Sequence, residues 1–179
     1  MTALVTVQDI RLADEHDEFE IFKLCSLMHS EQPYHPLSWD KIVPMIRLAT
    51  ARTRGIIGVI GERHDLKAAI FLVLEPVWYS DDWQLLEFFN YVREDARKSN
   101  YAKQLIYYAR NCADQLGVDL TVGVFSNIRT EAKCRLYRRV LPKMGEYFCY
   151  SPPARVAAME QSWRELSTPT FASHEVAAE

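Results

Sequence analysis

Three cations crowd one helix start in this sequence. Arg97, Lys98 and Lys103 surround Ser99-Asn100-Tyr101-Ala102, and no acid lies between Asp95 and Asp114. Helix N-termini carry partial positive charge and ordinarily attract acidic residues. A basic entry reverses that preference. First-turn N–H groups without intrahelical partners, joined by three cations, suit an anion such as a pyrophosphate. Ser99 or Asn100 is available to cap the helix, and neither has Glu or Gln three residues on. On charge alone, a solvated basic turn is the competing reading.

Two further side chains have types suited to proton transfer. Glu87 lies in the run Trp83–Val92. Strand alternation puts it on one face with Trp83, Leu85, Phe89 and Tyr91. A carboxylate among apolar rings is desolvated, and desolvation raises its pKa toward that of a general base. A structural carboxylate paired with an arginine is the alternative. Tyr137 has a phenol that stays protonated at neutral pH and can serve as an acid. Its position beside Leu136, Val140 and Leu141 equally suits a core aromatic.

The elements that must position these residues follow from periodicity and breakers. Val5–Leu12 reads as a strand, and Asp14–Ser30 as an amphipathic helix with Phe19, Phe22, Leu24, Leu27 and Met28. Prolines break the chain in Glu31–Leu37. A second helix runs from Ser38 or Asp40 to Thr50, with Pro44 costly beyond its first turn. Gly55–Gly61 and Lys67–Tyr79 form a hairpin, and Trp83–Val92 is a further strand. Tyr101–Leu116 is the clearest helix, with an apolar face from Tyr101 to Leu116 and Gly117 as its stop. Val118–Phe125 reads as a buried strand, Thr130–Leu141 as a helix and Glu146–Tyr150 as a last strand. The order predicts an α/β fold with a mixed, mostly antiparallel sheet flanked by helices. Residues 1–150 form one domain on this reading, and 151–179, opening Ser-Pro-Pro, an appendage.

The segment Val92-Arg-Glu-Asp-Ala-Arg97-Lys-Ser-Asn100-Tyr-Ala102 resembles the acetyl-CoA loop of GNAT acyltransferases, in which Arg/Gln-x-x-Gly-x-Gly/Ala opens a helix after a strand ending in Val. Arg97 and Ala102 match; Asn100 stands where the first glycine is usual. Asn is the next most tolerant residue for left-handed backbone angles. A second segment, Asn127-Ile-Arg-Thr-Glu-Ala132-Lys-Cys-Arg-Leu136-Tyr137, resembles the family's Asn…Ala…Leu-Tyr stretch. Gly145 comes later after it than the family's usual Gly-Phe, which implies an insertion. The resemblance spans roughly Thr6–Tyr150, and the Arg-Thr-Glu-Ala-Lys-x-Arg-Leu-Tyr-Arg-Arg stretch is similar to bacteriophage-encoded members.

What the resemblance implies is transfer of an acetyl or other short acyl group from CoA to a primary amine. The coenzyme would lie against Phe89, Tyr91, Val92, Arg97, Lys98, Ser99, Asn100, Tyr101, Ala102 and Asn127. Its pantetheine arm would join Phe89–Val92 as a surrogate strand, where the family has a bulge. Glu87 would be the base and Tyr137 the acid. Glu31, Tyr34 and Trp39, in the break after the first helix, would wall the acceptor site. A helix made basic by Arg129, Lys133, Arg135, Arg138, Arg139 and Lys143 reads as a solvated face, or one facing the adenosine 3′-phosphate or a nucleic-acid acceptor. A second function on the same scaffold is a catalytically weak protein acting through a partner, with the tail docking that partner or building a homodimer.

Composition narrows the field. The chain has 179 residues, 49% hydrophobic and 25% charged, with a net charge of −3. These values suit one packed core and give no bulk attraction to nucleic acid. No run approaches a membrane span, and the start has no signal-peptide pattern. Cys25, Cys112, Cys134 and Cys149 are too scattered for a zinc site. Reduced thiols in a cytoplasmic, metal-free protein are expected. The acceptor amine remains open: a small molecule, a protein lysine or a modified nucleobase.

Overall fold

The computed structural model describes residues 9–31, 35–126, 128–146, 148–157 and 161. The elements in chain order are β1 (Arg11–Leu12), α1 (Glu18–Glu31), α2 (Trp39–Thr50), β2 (Ile56–Glu62), β3 (Asp65–Pro76), β4 (Trp83–Val92), α3 (Tyr101–Leu116), β5 (Asp119–Thr121) and α4 (Thr130–Arg138). The strands form one sheet in the order β1-β2-β3-β4-β5. Every adjacent pair is antiparallel except β4 with β5, which is parallel. This is the mixed, mostly antiparallel sheet flanked by helices that the element order predicts.

β3 is central, and both of its faces are covered. Hence Ala68 to Val73 are all buried and the strand reads as an unbroken apolar run. On one face, Phe71, Val73 and Phe89 meet Ile21 and Leu24 of α1 and Ile46 of α2. On the other, Ile70, Leu72 and Leu85 meet Leu105 and Ala109 of α3. Each such side chain contributes about 1.5–3 kcal/mol when withdrawn from water.

Local chemistry sets the ends of the elements. Asp14 caps a 3-10 turn at Glu15–Asp17 through a capping box, and α1 follows directly. Asp17, fully buried, accepts two bonds from the Arg11 guanidinium, at 2.6 and 2.7 Å, tying β1 to the start of α1. Pro44 does sit inside α2, beyond its first turn. Pro44 and Asp40 are both exposed, so the carbonyl that Pro44 leaves without a partner faces water. Gly117 ends α3 in the left-handed conformation at φ 67°, as the sequence predicts. The predicted apolar face of α3 is shorter than expected: Leu116 is exposed.

Several predicted boundaries change: α1 starts at Glu18 rather than Asp14, and β3 ends at Pro76 rather than Tyr79. The strand predicted over Val118–Phe125 is only Asp119–Thr121, and α4 stops at Arg138 rather than Leu141. The strand predicted at Glu146–Tyr150 is absent from the described residues there. Of the strand predicted from Val5, the described part is Arg11–Leu12. The chain divides into two compact units, Met1–Gln32 with Leu37–Met144, and Pro33–Pro36 with Gly145–Glu179. The first holds the whole sheet. In the second, residues 153–157 are helical and the Arg155 guanidinium meets the His35 ring.

Candidate active site

The site begins with one extra residue in β4. Phe71 of β3 pairs with Phe89, but the next residue, Leu72, pairs with Glu87. Phe88 is therefore a bulge, and it inverts the alternation of side chains on either side of it. Phe89 and Tyr91 enter the core toward α1 and α2. Glu87 is the ladder partner of Leu72, and Asn90 that of Ile70. Leu72 and Ile70 both face α3, and ladder partners share a face. Simple alternation, which groups Glu87 with Phe89 and Tyr91, is thus corrected.

The bulge also separates β4 from β5. Their ladder ends at Leu86 with Thr121. Past that point the Gly123 N–H lies near enough to the Glu87 carboxylate to lower its pKa. Beyond Leu86 the edge of β4 has no strand beside it among the described residues.

Glu87 is pushed up to about 7, chiefly by burial. The Gly123 N–H, the Tyr137 hydroxyl and the charge of Lys133 act the other way without cancelling it. The Tyr137 hydroxyl donates to Glu87 Oε2 over a long 3.5 Å and accepts from Asn90 Nδ2 at 3.1 Å. Burial and the neighbouring Glu87 carboxylate hold that phenol well above its ordinary value. The pair can therefore exchange protons near neutral pH at the carboxyl while the phenol remains a donor.

A cleft of about 180 Å³ opens above them, between β4, the start of α3 and one face of α4. Of the residues predicted to bind, Glu31, Tyr91, Val92, Arg97, Ser99, Ala102 and Tyr137 line it. Four others do not. Phe89 stacks edge-on against Phe71 in the core, which leaves only its backbone available. Tyr101 packs beside the α3 core. Lys98 and Asn100 are exposed and outside the cleft wall. Trp39, predicted to wall the acceptor site, instead stacks on Phe22 with centroids 3.7 Å apart. Asn127 and Tyr34 lie outside the described residues.

The predicted anion trap is altered in two respects. Arg97 is not a free cation. Its guanidinium bonds Glu31 Oε1, and its Nε donates to the Val92 carbonyl at 3.1 Å. The Tyr91 hydroxyl donates to the same Glu31 oxygen at 2.7 Å. Asn100 does not take the left-handed angles for which a glycine is suited. It sits at φ −92°, ψ 11°, with its Oδ1 accepting from Gln104 Nε2. The missing glycine thus imposes no backbone strain. The turn is held instead by Ser99, whose hydroxyl donates to the Ala96 carbonyl at 2.6 Å and accepts from the Tyr101 N–H at 3.2 Å. Behind it, Arg93 and Lys67 pair with Asp65 and Asp95, fixing the loop after β4 to the β2–β3 turn.

Sequence reasoning missed Asn90 and Lys133. Asn90 reaches this face only because of the bulge. Lys133 was grouped with a solvated basic face. Its neighbours Arg135, Arg138 and Arg139 are exposed, but Lys133 turns into the cleft and donates to Ser126 Oγ at 2.9 Å. The helical offset from Tyr137, four residues, was the available signal. Among the described residues no group of His, Cys, Asp and Glu is placed to hold a metal ion, and no helix is long and apolar enough to cross a membrane.

No protein-family model and no curated protein matches this sequence. Solved structures do match. A possible acetyltransferase from Clostridium difficile 630 shares 18% identity, with 80% of this chain and 97% of that chain covered and a TM-score of 0.62. A ribosomal-protein-alanine N-acetyltransferase from Brucella melitensis biovar Abortus 2308 shares 16% identity over 80% and 98% of the two chains, with a TM-score of 0.58. AAC(6')-Iy in complex with the bisubstrate analogue CoA-S-monomethyl-acetylneamine shares 14% identity over 80% and 97%, with a TM-score of 0.61. At these identities the similarity establishes the fold, which is that of the GNAT acetyltransferases.

Proposed function

We propose that this chain is an N-acetyltransferase that moves an acetyl or short acyl group from CoA to a primary amine by direct attack on the thioester. One observation carries the reading. The bulge at Phe88 opens an unpaired strand edge beside a raised-pKa carboxyl and a part-buried phenol that are in contact with each other. An amide-bearing arm such as pantetheine suits a free strand edge, because it can complete the ladder bonds. The first-turn N–H groups of α3, lined up at Ser99 and Ala102, suit the pyrophosphate. The complex of AAC(6')-Iy with a CoA-linked analogue supports the same choice of acyl donor.

The residues divide the proton work. A lysine-like acceptor amine, with pKa about 10.4, arrives protonated. Glu87, ionised above about 7, takes a proton as the amine attacks the thioester carbon. Tyr137 gives its hydroxyl proton to the departing sulfur. Glu87 then returns a proton to Tyr137 across their contact, so one proton shed by the amine ends on the thiol and the other in solvent. Asn90, donating to the phenol oxygen, stabilises Tyr137 while it is deprotonated. Backbone N–H groups on the free edge of β4 are the donors for the oxyanion. The acceptor is cationic in this reading, and Glu31 offers a carboxylate at the cleft wall to receive it. On this reading the acyltransferase domain is residues 1–150, followed by a C-terminal extension, 151–179.

A second reading, a coenzyme-binding scaffold that acts through a protein partner, draws on the Arg97–Glu31 pair, which occupies the Arg97 guanidinium. Melting curves with and without acetyl-CoA, followed by an amine panel, separate the two. A ligand at 100 times its Kd adds about 2.7 kcal/mol. A shift together with acetylated product is the expected result. A shift without product from any amine favours the scaffold, and no shift at millimolar acetyl-CoA removes both.

A further inference from the structure

We infer that Lys133 is itself an acetyl acceptor, so that the protein modifies its own cleft from bound acetyl-CoA. The inference rests on the acyltransferase reading above. Lys133 lies one helical turn from Tyr137 on the same face of α4, and both side chains line the cleft together with Asn90 and Val92. Ser126 Oγ holds the Lys133 ammonium at 2.9 Å. Among the described residues no carboxylate forms an ion pair with it, although Glu31 and Glu87 are near enough for their charges to act on it. Partial burial lowers its pKa, with the Arg97 charge acting the same way. A nucleophilic amine must be neutral, and withdrawal from water is what makes a lysine so. The chain therefore presents an amine and an acid on one small cavity, with the base in contact with the acid.

The step balances with the groups already named. Lys133 sheds one proton to Glu87, and its Nζ attacks the thioester carbonyl carbon. The N–C bond forms and the C–S bond breaks. Tyr137 protonates the sulfur and regains a proton from Glu87. The products are Nε-acetyl-Lys133 and CoA, with the second ammonium proton released to solvent. The modification removes a positive charge opposite Arg97 and adds two carbons to a cleft of about 180 Å³, so it should weaken later coenzyme binding and limit turnover.

The full chain, incubated with acetyl-CoA and no amine, is digested and mapped by mass spectrometry over time, with melting curves recorded in parallel. The expected result is one acetyl group at Lys133, added with first-order kinetics that dilution does not change. Lys133→Arg should take up none at that site while melting normally. Glu87→Gln should still show the acetyl-CoA melting shift but label about 100-fold more slowly. A melting shift without acetyl at Lys133, or label reaching the exposed Lys98 and Lys103 as fast, overturns the inference and leaves coenzyme binding standing. No melting shift removes the acyltransferase reading and the inference together.

Discussion

Replacing Glu87 by Gln should slow the enzyme and stabilise the fold, and the two effects share one cause. Folding raises the Glu87 carboxyl from 4.5 to about 7, mainly by burial. At about 1.4 kcal/mol per pKa unit, that displacement is roughly 3 kcal/mol in favour of the neutral acid. The sign follows from linkage. The folded state holds this proton more tightly than the unfolded chain does, so ionisation destabilises the fold. The penalty is absent below 4.5, grows as pH rises and is complete above about 7. Gln has the same shape and no charge, and it retains an acceptor for the Tyr137 hydroxyl. At pH 8 the variant should be more stable by about 2–3 kcal/mol, or about 4–12 °C in melting temperature for a chain of this size. At pH 4 the difference should vanish. The rate should move the opposite way. The parent's activity should rise with pH through about 7, with about one tenth of Glu87 ionised one pH unit below. The variant should lose that limb together with about 100-fold or more in kcat/KM. Paired melting and rate profiles from pH 4 to 9 test both arms. A variant no more stable than the parent at pH 8, or one that keeps the limb near 7, would refute the assignment.

Other consequences are independent of that one. Tyr137→Phe should lower kcat by about 10–100-fold with acetyl-CoA affinity unchanged, read by initial rates and calorimetry; full turnover would return Tyr137 to a packing role. Glu31→Gln should release Arg97 and tighten acetyl-CoA binding by about tenfold, the worth of one charge-assisted bond, while Glu94→Gln, whose carboxylate acts on the Arg97 guanidinium by charge alone, should do less. Equal effects in a titration of both variants would mean that charge rather than the Arg97 bond is responsible. Asp17→Ala leaves the half-exposed Arg11 without its buried partner and should cost about 3 kcal/mol in urea denaturation. The Asp17 carboxyl is held below its ordinary value by Arg11 and the Asp14 N–H against the opposing effect of burial. Its stabilisation is therefore present above the unfolded pKa and is lost as pH falls through the lower folded one. A deficit of the variant that persists unchanged at acid pH would contradict this.

Local chemistry made most of the elements legible. Helix α3 could be placed from its apolar spacing and Gly117, because a 3.6-residue period and a left-handed stop act within a few residues. The β2–β3 hairpin followed in the same way from two apolar runs and a short polar turn. The candidate site was legible in part. Glu87 and Tyr137 were named from residue type and from the family resemblance, and the structure brings their side chains into contact. Asn90 and Lys133 escaped notice. Nothing in a ten-residue apolar run says which residue will be the bulge, and nothing in a basic helix says which lysine will turn inward.

Residue types and short-range periodicity determined the α/β order, the start and stop of α3, and the set of ionisable groups within reach of one strand and two helices. The tertiary structure decided how those groups are used. The bulge at Phe88 is a property of the β3–β4 register, and it sends Glu87 and Asn90 to the face opposite Phe89 and Tyr91. The partner of Arg97 is Glu31, 66 residues earlier in the chain, a pairing that no local pattern encodes. The pKa of Glu87 depends on what buries it, and desolvation is a property of the assembled neighbourhood rather than of the residue.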